Sequence, residues 1–218
     1  MRWAVCHVMG AGEFFLDSLP IEPGDMLIAA DGGMGYLDRM GLTPDLLVGD
    51  FDSLEAAESG VPTIALPAEK DVTDAMAALD EGLARGFRRF ALYGGVGGRF
   101  DHTLANVQAM AYLAGRGARG VLIGDGDALT AVRDGAIEFP AGLTGYLSVF
   151  CHGDRATGVN ERGLKYSLTD ATLTNRHALG VSNEFTGAPA RVSVASGTLV
   201  IYWHQAAEAA VALLAAQP

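Results

Sequence analysis

One stretch near the N-terminus, residues 26–53, constrains the fold of this 218-residue chain more than any other. Its apolar run Met26–Ala30 ends at an Asp-Gly-Gly sequence, and a second apolar run, Leu46–Val48, ends at Gly-Asp-Phe-Asp. Between the two runs, apolar residues recur at helical spacing until Gly41 and Pro44, which favour the end of a helix. The pattern predicts a strand, a helix and a second strand, and strands joined in this way lie parallel.

The acidic residues of this stretch follow its two strands directly. Asp31 comes after the first strand, and Asp50 and Asp52 come after the second. In doubly wound sheets the carboxyl ends of the strands form the edge where ligands bind. Carboxylates that converge at one edge repel one another unless a cation lies between them. We therefore predict a metal site that includes these three residues.

The alternation of strand and helix continues to about residue 125. Apolar runs and helical periodicity predict further elements on both sides of the opening stretch. They are strands at Trp3–Val8, Val61–Leu66, Arg89–Tyr93 and Gly120–Ile123, and helices over about 73–85 and Thr103–Ala114. The sequence therefore predicts an α/β domain with a mainly parallel sheet over residues 1–125.

Beyond residue 126 short apolar alternations are separated by Gly, Asp and Asn turns. They lie at Leu129–Val132, Ala136–Phe139, Tyr146–Phe150, Ala171–Leu173, Ala190–Val194 and Leu199–Trp203. Because this spacing is typical of antiparallel folds, we predict an all-β sandwich domain over 126–218, which ends in a short helix in the Ala-rich tail. Two segments flanked by glycine, Thr157–Leu168 and Leu179–Phe185, are predicted to be loops.

A glycine-rich segment follows the strand that ends at residue 93. Four of the five residues Gly94–Gly98 are glycine, which would destabilise the interior of a helix or strand. At the carboxyl end of a strand, just before a helix, such a backbone can wrap an anion. Arg99 and His102 lie at the start of that helix, which Asp101 or Thr103 is expected to cap. An earlier Gly-Ala-Gly at residues 10–12 indicates either a second phosphate contact or a tight turn.

Two further acids, Asp71 and Asp74, lie at the start of the helix predicted over 73–85. Taken alone they are a capping pair, with Thr73 as the other candidate cap. Taken with Asp31 and the acids after the second strand, Asp74 is a candidate metal ligand. Oxygen-only ligands without a His or Cys cluster select Mg²⁺ rather than Zn²⁺.

These features together indicate phosphoryl or diphosphoryl transfer from a nucleotide. Mg²⁺ stabilises the charge on transferring phosphoryl groups, and Arg99 offers the planar donor fork that binds phosphate. The sequence has neither a Walker A motif nor the glycine-rich and catalytic loops of protein kinases. The two common kinase designs are therefore excluded.

Composition and charge bound the protein's class. The formal net charge of −11 argues against nucleic acid or an anionic membrane as the main partner. The two cysteines, Cys6 and Cys151, lie far apart and suit a reducing compartment, and the Ala-rich tail is too short to span a bilayer. We expect a soluble, cytoplasmic protein without a nucleic-acid or membrane partner.

Six motifs, in order along the chain, resemble the thiamine pyrophosphokinases of the bacterial type. They are ADGG (Ala30–Gly33), PDLLVGDFDS (Pro44–Ser53), EKDVTD (Glu69–Asp74), GGVGGRFDHTLAN (Gly94–Asn106), GLKY (Gly163–Tyr166) and GVSNEF (Gly180–Phe185). The resemblance implies that the hydroxyl of thiamine attacks the β-phosphorus of ATP, which gives thiamine diphosphate and AMP in a Mg²⁺-dependent reaction. It also implies a homodimer with active sites between the subunits.

The resemblance further assigns roles to residues of this chain. It implies magnesium-binding acids, a neighbouring acid, nucleotide-site residues and a pair near the thiamine pocket. The implied magnesium-binding acids are Asp50, Asp52 and Asp74, with Asp31 beside them. The implied nucleotide-site residues are Thr73, Arg99 and Asp101, and the pair near the thiamine pocket is Ser182 and Asn183.

An aromatic wall for the rings of thiamine is expected on physical grounds, because stacking on a cationic heteroaromatic ring is favourable. Phe185 and Trp203 are the candidates. Trp203 equally fits a strand residue in the core of the sandwich.

Two other functions fit parts of the sequence. The run before Asp50 also resembles the nucleophile motif of haloacid-dehalogenase-like phosphatases, in which the first Asp is phosphorylated. Ser53 replaces the usual Thr or Val of that motif, and the rest of that motif set is not apparent. A non-enzymatic nucleotide or thiamine sensor is the other alternative, although such proteins usually lose the catalytic carboxylates that this chain retains.

Overall fold

Strands and helices alternate through the first half of the molecule. The computed structural model describes residues 2–50, 60–67, 69 and 71–217. The strands of this half are β1 (Cys6–Met9), β2 (Met26–Ala30), β3 (Leu46–Gly49), β4 (Thr63–Ala65), β5 (Arg89–Tyr93) and β6 (Arg119–Ile123). Its helices are α1 (Met34–Met40), α2 (Asp74–Ala84) and α3 (Phe100–Gly115), and a 3-10 turn at Asp31–Gly33 precedes α1.

These six strands pair in parallel in the order β4-β3-β2-β1-β5-β6. The chain moves outward from β1 to β4 on one side and then returns to add β5 and β6 on the other. The sheet therefore reverses its strand order between β1 and β5, which is where doubly wound folds form their ligand crevice. Every residue of β1, β2, β3 and β5 is buried, in keeping with their nearly continuous apolar sequences.

The second half is antiparallel and continues the same sheet. Its elements are β7 (Asp127–Arg133), β8 (Ala136–Phe139), β9 (Tyr146–Arg162), β10 (Leu168–Thr174), β11 (Gly180–Glu184), β12 (Ala190–Ser193), β13 (Ser196–His204) and α4 (Ala207–Ala216). Strand β7 pairs antiparallel with β6, and the order then runs β7-β13-β9-β12-β8. Strand direction thus changes across the turn at 124–126, and the division into 1–125 and 126–218 stays a prediction.

The long strand β9 builds the sandwich. Its first part pairs with β13 and β11, and its last part pairs with β10 and β12. Between the two layers, Phe139 packs edge to face on Phe185 and Trp203, with ring centroids 5.2 and 5.5 Å apart. Trp203 is 1% exposed and Phe185 7% exposed. Both candidates for a thiamine-stacking wall therefore lie in the core.

The predicted fold class, a mainly parallel α/β half followed by a β-sandwich, is confirmed. The two predicted loops are wrong in large part, because residues 157–162 belong to β9 and Gly180–Glu184 is β11. Polar residues that signal turns in sequence find partners inside the sandwich instead. The helix predicted in the Ala-rich tail is confirmed as α4, which packs against β5, β6 and β7.

Helix ends follow the predicted signals only in part. Gly41 ends α1 with a left-handed φ of 66°, and the Thr73 hydroxyl caps α2 by accepting from the Met76 N–H at 3.2 Å. Helix α3 begins earlier than predicted, and the expected cap at Asp101 or Thr103 is wrong. The Asp101 carboxylate instead accepts from the Arg99 guanidinium. No described helix combines the length and apolar character needed to cross a membrane.

A buried polar cluster anchors the amino edge of the sheet. The Asp25 carboxylate accepts from the Arg2 guanidinium at 2.6 and 2.9 Å and from two backbone N–H groups. Fully buried His7 lies between Asp25, at 3.2 Å, and the Tyr93 hydroxyl, at 3.0 Å. Burial lowers the pKa of His7, so the neutral ring donates to Asp25 and accepts from Tyr93. Burial alone would raise the pKa of Asp25, but its donors lower it to about 2.

This cluster predicts a pH dependence of stability. The pKa of Asp25 is lower than its ordinary value of 3.8, so the stabilisation is present above that value and is lost as pH falls toward 2. We expect Asp25→Asn to lower the free energy of unfolding by about 2 kcal/mol at neutral pH, with the two curves converging near the acidic end. Denaturant titrations across the acidic range measure this difference. Exposed Asp17, changed to Asn, is the control, and parallel curves for Asp25→Asn would contradict the assignment.

Candidate active site

A pocket of about 530 Å³ opens at the carboxyl ends of β1, β2 and β5. It lies where the strand order reverses. Its walls come from residues 10–13, from the end of β2, from the start of α2, and from the glycine loop with the start of α3. Elements that are far apart in sequence thus meet at one edge of the sheet.

Two glycine segments form the floor of the pocket side by side. The Gly10 N–H donates to the Tyr93 carbonyl at 2.8 Å, and the Gly12 N–H donates to the Gly94 carbonyl at 2.7 Å. A Cβ on Gly12 would lie 2.6 Å from the Gly94 oxygen, and one on Gly94 would lie 2.5 Å from the Gly10 oxygen. Gly94 also has a φ of 57°. The early Gly-Ala-Gly is therefore part of the pocket floor, and only glycine allows the two backbones to approach so closely.

Three side chains brace these glycine segments. The Tyr36 hydroxyl donates to the Gly12 carbonyl at 2.7 Å, and the buried Asn106 amide donates to the Gly95 carbonyl at 2.8 Å. The Glu13 carboxylate accepts from the Gly98 N–H at 3.3 Å. Asn106 lies within a recognisable motif. Tyr36 and Glu13 were missed, because no local pattern shows contacts that span 24 and 85 residues.

The predicted acids reach this edge to different extents. Asp31 and Asp74 line the pocket. Asp50 follows β3, which pairs in parallel with β2, so Asp31 and Asp50 leave neighbouring strands at the same edge. Asp52 lies outside the described residues. Asp31 has a φ of 48°, an uncommon conformation for a residue other than glycine and one found more often at functional sites.

The donor chemistry of the pocket suits a hard cation. Its acids offer carboxylate oxygens, and Mg²⁺ binds through one or two carboxylates, substrate phosphates and water. Within residues 2–50, 60–67, 69 and 71–217, no three His, Cys, Asp or Glu side chains form a complete metal cluster.

Two helices start at the pocket. Thr73 and Asp74, at the start of α2, line it, and so do Arg99 and His102, at the start of α3. The N-terminus of a helix carries partial positive charge and free N–H groups, so both starts favour a bound anion.

Arg99 forms an exposed, two-pronged ion pair with Asp101. The guanidinium donates to the two carboxylate oxygens at 3.2 and 2.6 Å, and the side chains are 72% and 65% exposed. Arg99 lowers the pKa of Asp101, and the carboxylate raises the pKa of Arg99, so both groups stay charged near neutral pH. Because an exposed pair contributes little stability, Arg99 can exchange Asp101 for a phosphate at low cost.

The remaining predicted pair, Ser182 and Asn183, does not line this pocket. Both residues lie in β11, which pairs with β9. Strand β9 is four steps along the sheet from β5, roughly 19 Å at about 4.8 Å per strand. The pocket and this pair therefore occupy separate regions of one chain.

Two family models match consecutive parts of the chain. The model described as "Thiamin pyrophosphokinase, catalytic domain" matches residues 21–129, half of the chain. The model described as "Thiamin pyrophosphokinase, vitamin B1 binding domain" matches residues 136–199. The thiamine pyrophosphokinase of Bacillus subtilis is 29% identical over 188 residues, which cover 80% of this chain and 85% of that protein.

Solved structures share the fold. The Bacillus subtilis thiamine pyrophosphokinase superposes with a TM-score of 0.83 at 24% identity, over 92% of this chain and 99% of that one. The Geobacillus thermodenitrificans protein gives a TM-score of 0.81 at 25% identity, over 93% and 98% of the two chains. One family model matches half of the chain and the second matches the part that follows it, so the chain belongs to the thiamin pyrophosphokinase family.

Proposed function

We propose that this chain transfers the diphosphoryl group of ATP to the hydroxyl of thiamine, giving thiamine diphosphate and AMP. Family membership supports the reaction. The observation that carries it in the structure is the pocket at the strand-order reversal, where two glycine segments and two helix starts meet. That combination suits a polyphosphate.

The phosphates of ATP bind across the glycine loop and the start of α3. The backbone N–H groups there and the partial positive charge of the helix complement phosphate oxygens. Arg99 turns from Asp101 to donate to the transferred group, and Asp101 keeps the guanidinium at the rim between turnovers. Thr73 holds the first turn of α2 beside the pocket.

The acids of the edge would hold Mg²⁺. We assign Asp50, Asp52 and Asp74 as its protein ligands, with Asp31 beside them. The places of Asp31 and Asp74 on the pocket wall support this assignment, as does the position of Asp50 after the neighbouring strand. When bound, Mg²⁺ neutralises phosphate charge and stabilises the charge that develops during transfer.

Ser182 and Asn183 lie near bound thiamine, and we infer that they serve the pocket of a second subunit. Their separation from the pocket of their own chain supports a homodimer with shared sites. Exposed apolar side chains near this pair are suited to an interface: Tyr146 is 51% exposed, Tyr166 59% and Leu179 51%.

We also infer that the enzyme works in the cytoplasm, without a nucleic-acid or membrane partner. Both cysteines are free thiols, and burial raises the pKa of Cys6 to about 12, which makes it unreactive. The net charge of −11 disfavours a polyanionic partner.

The reaction predicts its products. Purified protein with thiamine, ATP and Mg²⁺ should form thiamine diphosphate and AMP in equal amounts, and AMP release should require thiamine. Chromatography separates the possible products. Thiamine monophosphate with ADP would instead indicate an ordinary kinase, and thiamine-independent phosphate release would indicate the phosphatase alternative.

The metal assignment predicts a large effect when one acidic side chain is replaced by an uncharged one of similar size. Asp52→Asn should lower kcat by about a hundredfold or more, because the site loses the charge that holds the cation. Steady-state kinetics over a range of Mg²⁺ concentrations measures this loss. Exposed Asp38, changed to Asn, is the matched control on α1. Near-full activity of Asp52→Asn would refute the assignment.

The shared site predicts complementation between two inactive variants. Asp52→Asn removes a metal ligand, and Ser182→Arg places a cation against positively charged thiamine. If each site takes residues from both subunits, a mixed dimer has one intact site, so co-expression should restore up to about a quarter of wild-type activity. Activity of the co-expressed pair is measured against each variant alone. No restoration, or a fully active monomer in sedimentation, would exclude the shared site.

A further inference from the structure

The sandwich contains a buried carboxyl group that the proposed reaction does not use. Glu161, near the end of β9, is 1% exposed and is flanked by β10 on one side and β12 on the other. Burial raises the pKa of this carboxyl, while a hydrogen bond from Asn183 acts in the opposite direction. Burying such a group costs free energy unless hydrogen bonds compensate for the lost hydration.

Glu161 fixes the amide of Asn183, a residue assigned above to thiamine. The Asn183 Nδ2 group donates to Glu161 Oε2 at 2.7 Å and to the Tyr166 carbonyl at 2.6 Å. Its Oδ1 accepts from the N–H groups of Tyr166, at 3.0 Å, and Glu184, at 2.9 Å. The side chain thus pairs with the backbone of Tyr166 as a neighbouring strand would, and it joins the GLKY segment to β11. Glu161 accepts a hydrogen bond from the second proton of the Asn183 amide, which this pairing does not use.

Strand β9 also supports Ser182, the residue before Asn183, through Ser148. Ser182 has a φ of 60°, and the register between β11 and β9 shifts between Gly180 and Asn183, which is a β-bulge. The Ser182 N–H donates to the buried Ser148 hydroxyl at 3.0 Å. A left-handed serine is strained and persists only where its surroundings impose it. Ser148 therefore holds the strained residue of the pair, as Glu161 holds the other.

Close packing leaves the bulge little freedom on its inner side. A Cβ on Gly180 would lie 2.6 Å from the Val149 carbonyl oxygen and 3.2 Å from Glu161 Oε1. Within the described residues, Glu161 Oε1 has no hydrogen-bond partner. The carboxyl group thus packs directly beneath β11, and one of its oxygens is committed to Asn183.

We propose that Ser148 and Glu161, on the two halves of β9, are positioning residues that set the geometry of the Ser182–Asn183 pair for thiamine. The proposal rests on the function proposed above. Neither residue contacts substrate. Both act through the bulge, so their loss should weaken thiamine binding selectively and leave the nucleotide pocket unchanged.

The test compares two replacements of Glu161 in the full-length enzyme. Glu161→Gln keeps an acceptor for the Asn183 amide, and Glu161→Leu removes it at similar size. We expect Glu161→Leu to raise the KM for thiamine about tenfold or more, with the KM for ATP and kcat within about twofold. Glu161→Gln should stay within about threefold of wild type in the KM for thiamine. A role in stability alone would lower the Tm without this split between substrates.

Ser148→Ala tests the other support and is a milder change. It leaves the Ser182 N–H without its acceptor, and we expect a threefold to tenfold rise, approximately, in the KM for thiamine alone. Glu138→Gln is the matched control for Glu161→Gln, because the Glu138 carboxylate lies in the same half of the chain and its side chain is 72% exposed. The control should match wild type in both KM values.

The outcomes separate this inference from the proposed function. A wild-type enzyme that forms thiamine diphosphate, with an unchanged KM for thiamine in Glu161→Leu and Ser148→Ala, overturns the positioning role alone. If Glu161→Leu does not fold, Ser148→Ala decides by the same criterion. A fall in kcat together with equal rises in the KM values for thiamine and ATP would also overturn it. A wild-type protein that neither turns over nor binds thiamine would overturn the proposed function, and the inference with it.

Discussion

The site depends on the contact between two glycine backbones at the centre of the sheet. In the loop after β1, the Gly10 N–H donates to the carbonyl of Tyr93, at the end of β5, and the Gly12 N–H donates to the carbonyl of Gly94, which follows it. The two backbones lie too close for a side chain between them. This contact joins the two strands on either side of the strand-order reversal and forms the pocket floor. The acids after β2 and β3 and the start of α3 lie at the same edge, because β2 pairs with β1, β3 pairs with β2, and α3 follows β5.

An acidic protein that binds a polyphosphate needs local positive potential. With a net charge of −11, the chain as a whole repels ATP. The pocket offsets this with backbone N–H groups of the glycine loop, with the partial positive charge at the starts of α2 and α3, and with the full positive charge of Arg99 at the rim. In the proposed enzyme the carboxylates of the same edge attract Mg²⁺, which converts a repulsive group of acids into a phosphate-binding surface. Negative charge and anion binding are then compatible at one site.

The sequence predicted best what depends on local pattern. Apolar runs predicted Met26–Ala30, Arg89–Tyr93 and Ala136–Phe139 at their observed bounds. This worked because the apolar residues that mark such a strand are close together in the sequence. Strand β11 was predicted to be a loop, since its polar residues are satisfied by partners in β9 that no local pattern shows. Glu13, Tyr36 and Ser148 were missed for the same reason: each acts on a backbone group at least 24 residues away. Motifs thus gave the edge of the site, and only tertiary structure gave its supports.

The two proposed substrates make opposite electrostatic demands, and the fold keeps them apart within one chain. ATP is an anion and meets helix starts and backbone N–H groups in the parallel half. Thiamine carries a positive charge and, in the proposed site, meets a segment that rests on Glu161 and contains Glu184, whose carboxylate pairs with Lys165 at 2.6 Å. In the proposed dimer the two surfaces of one site come from different subunits, the ATP surface from the parallel half of one and the thiamine surface from the antiparallel half of the other.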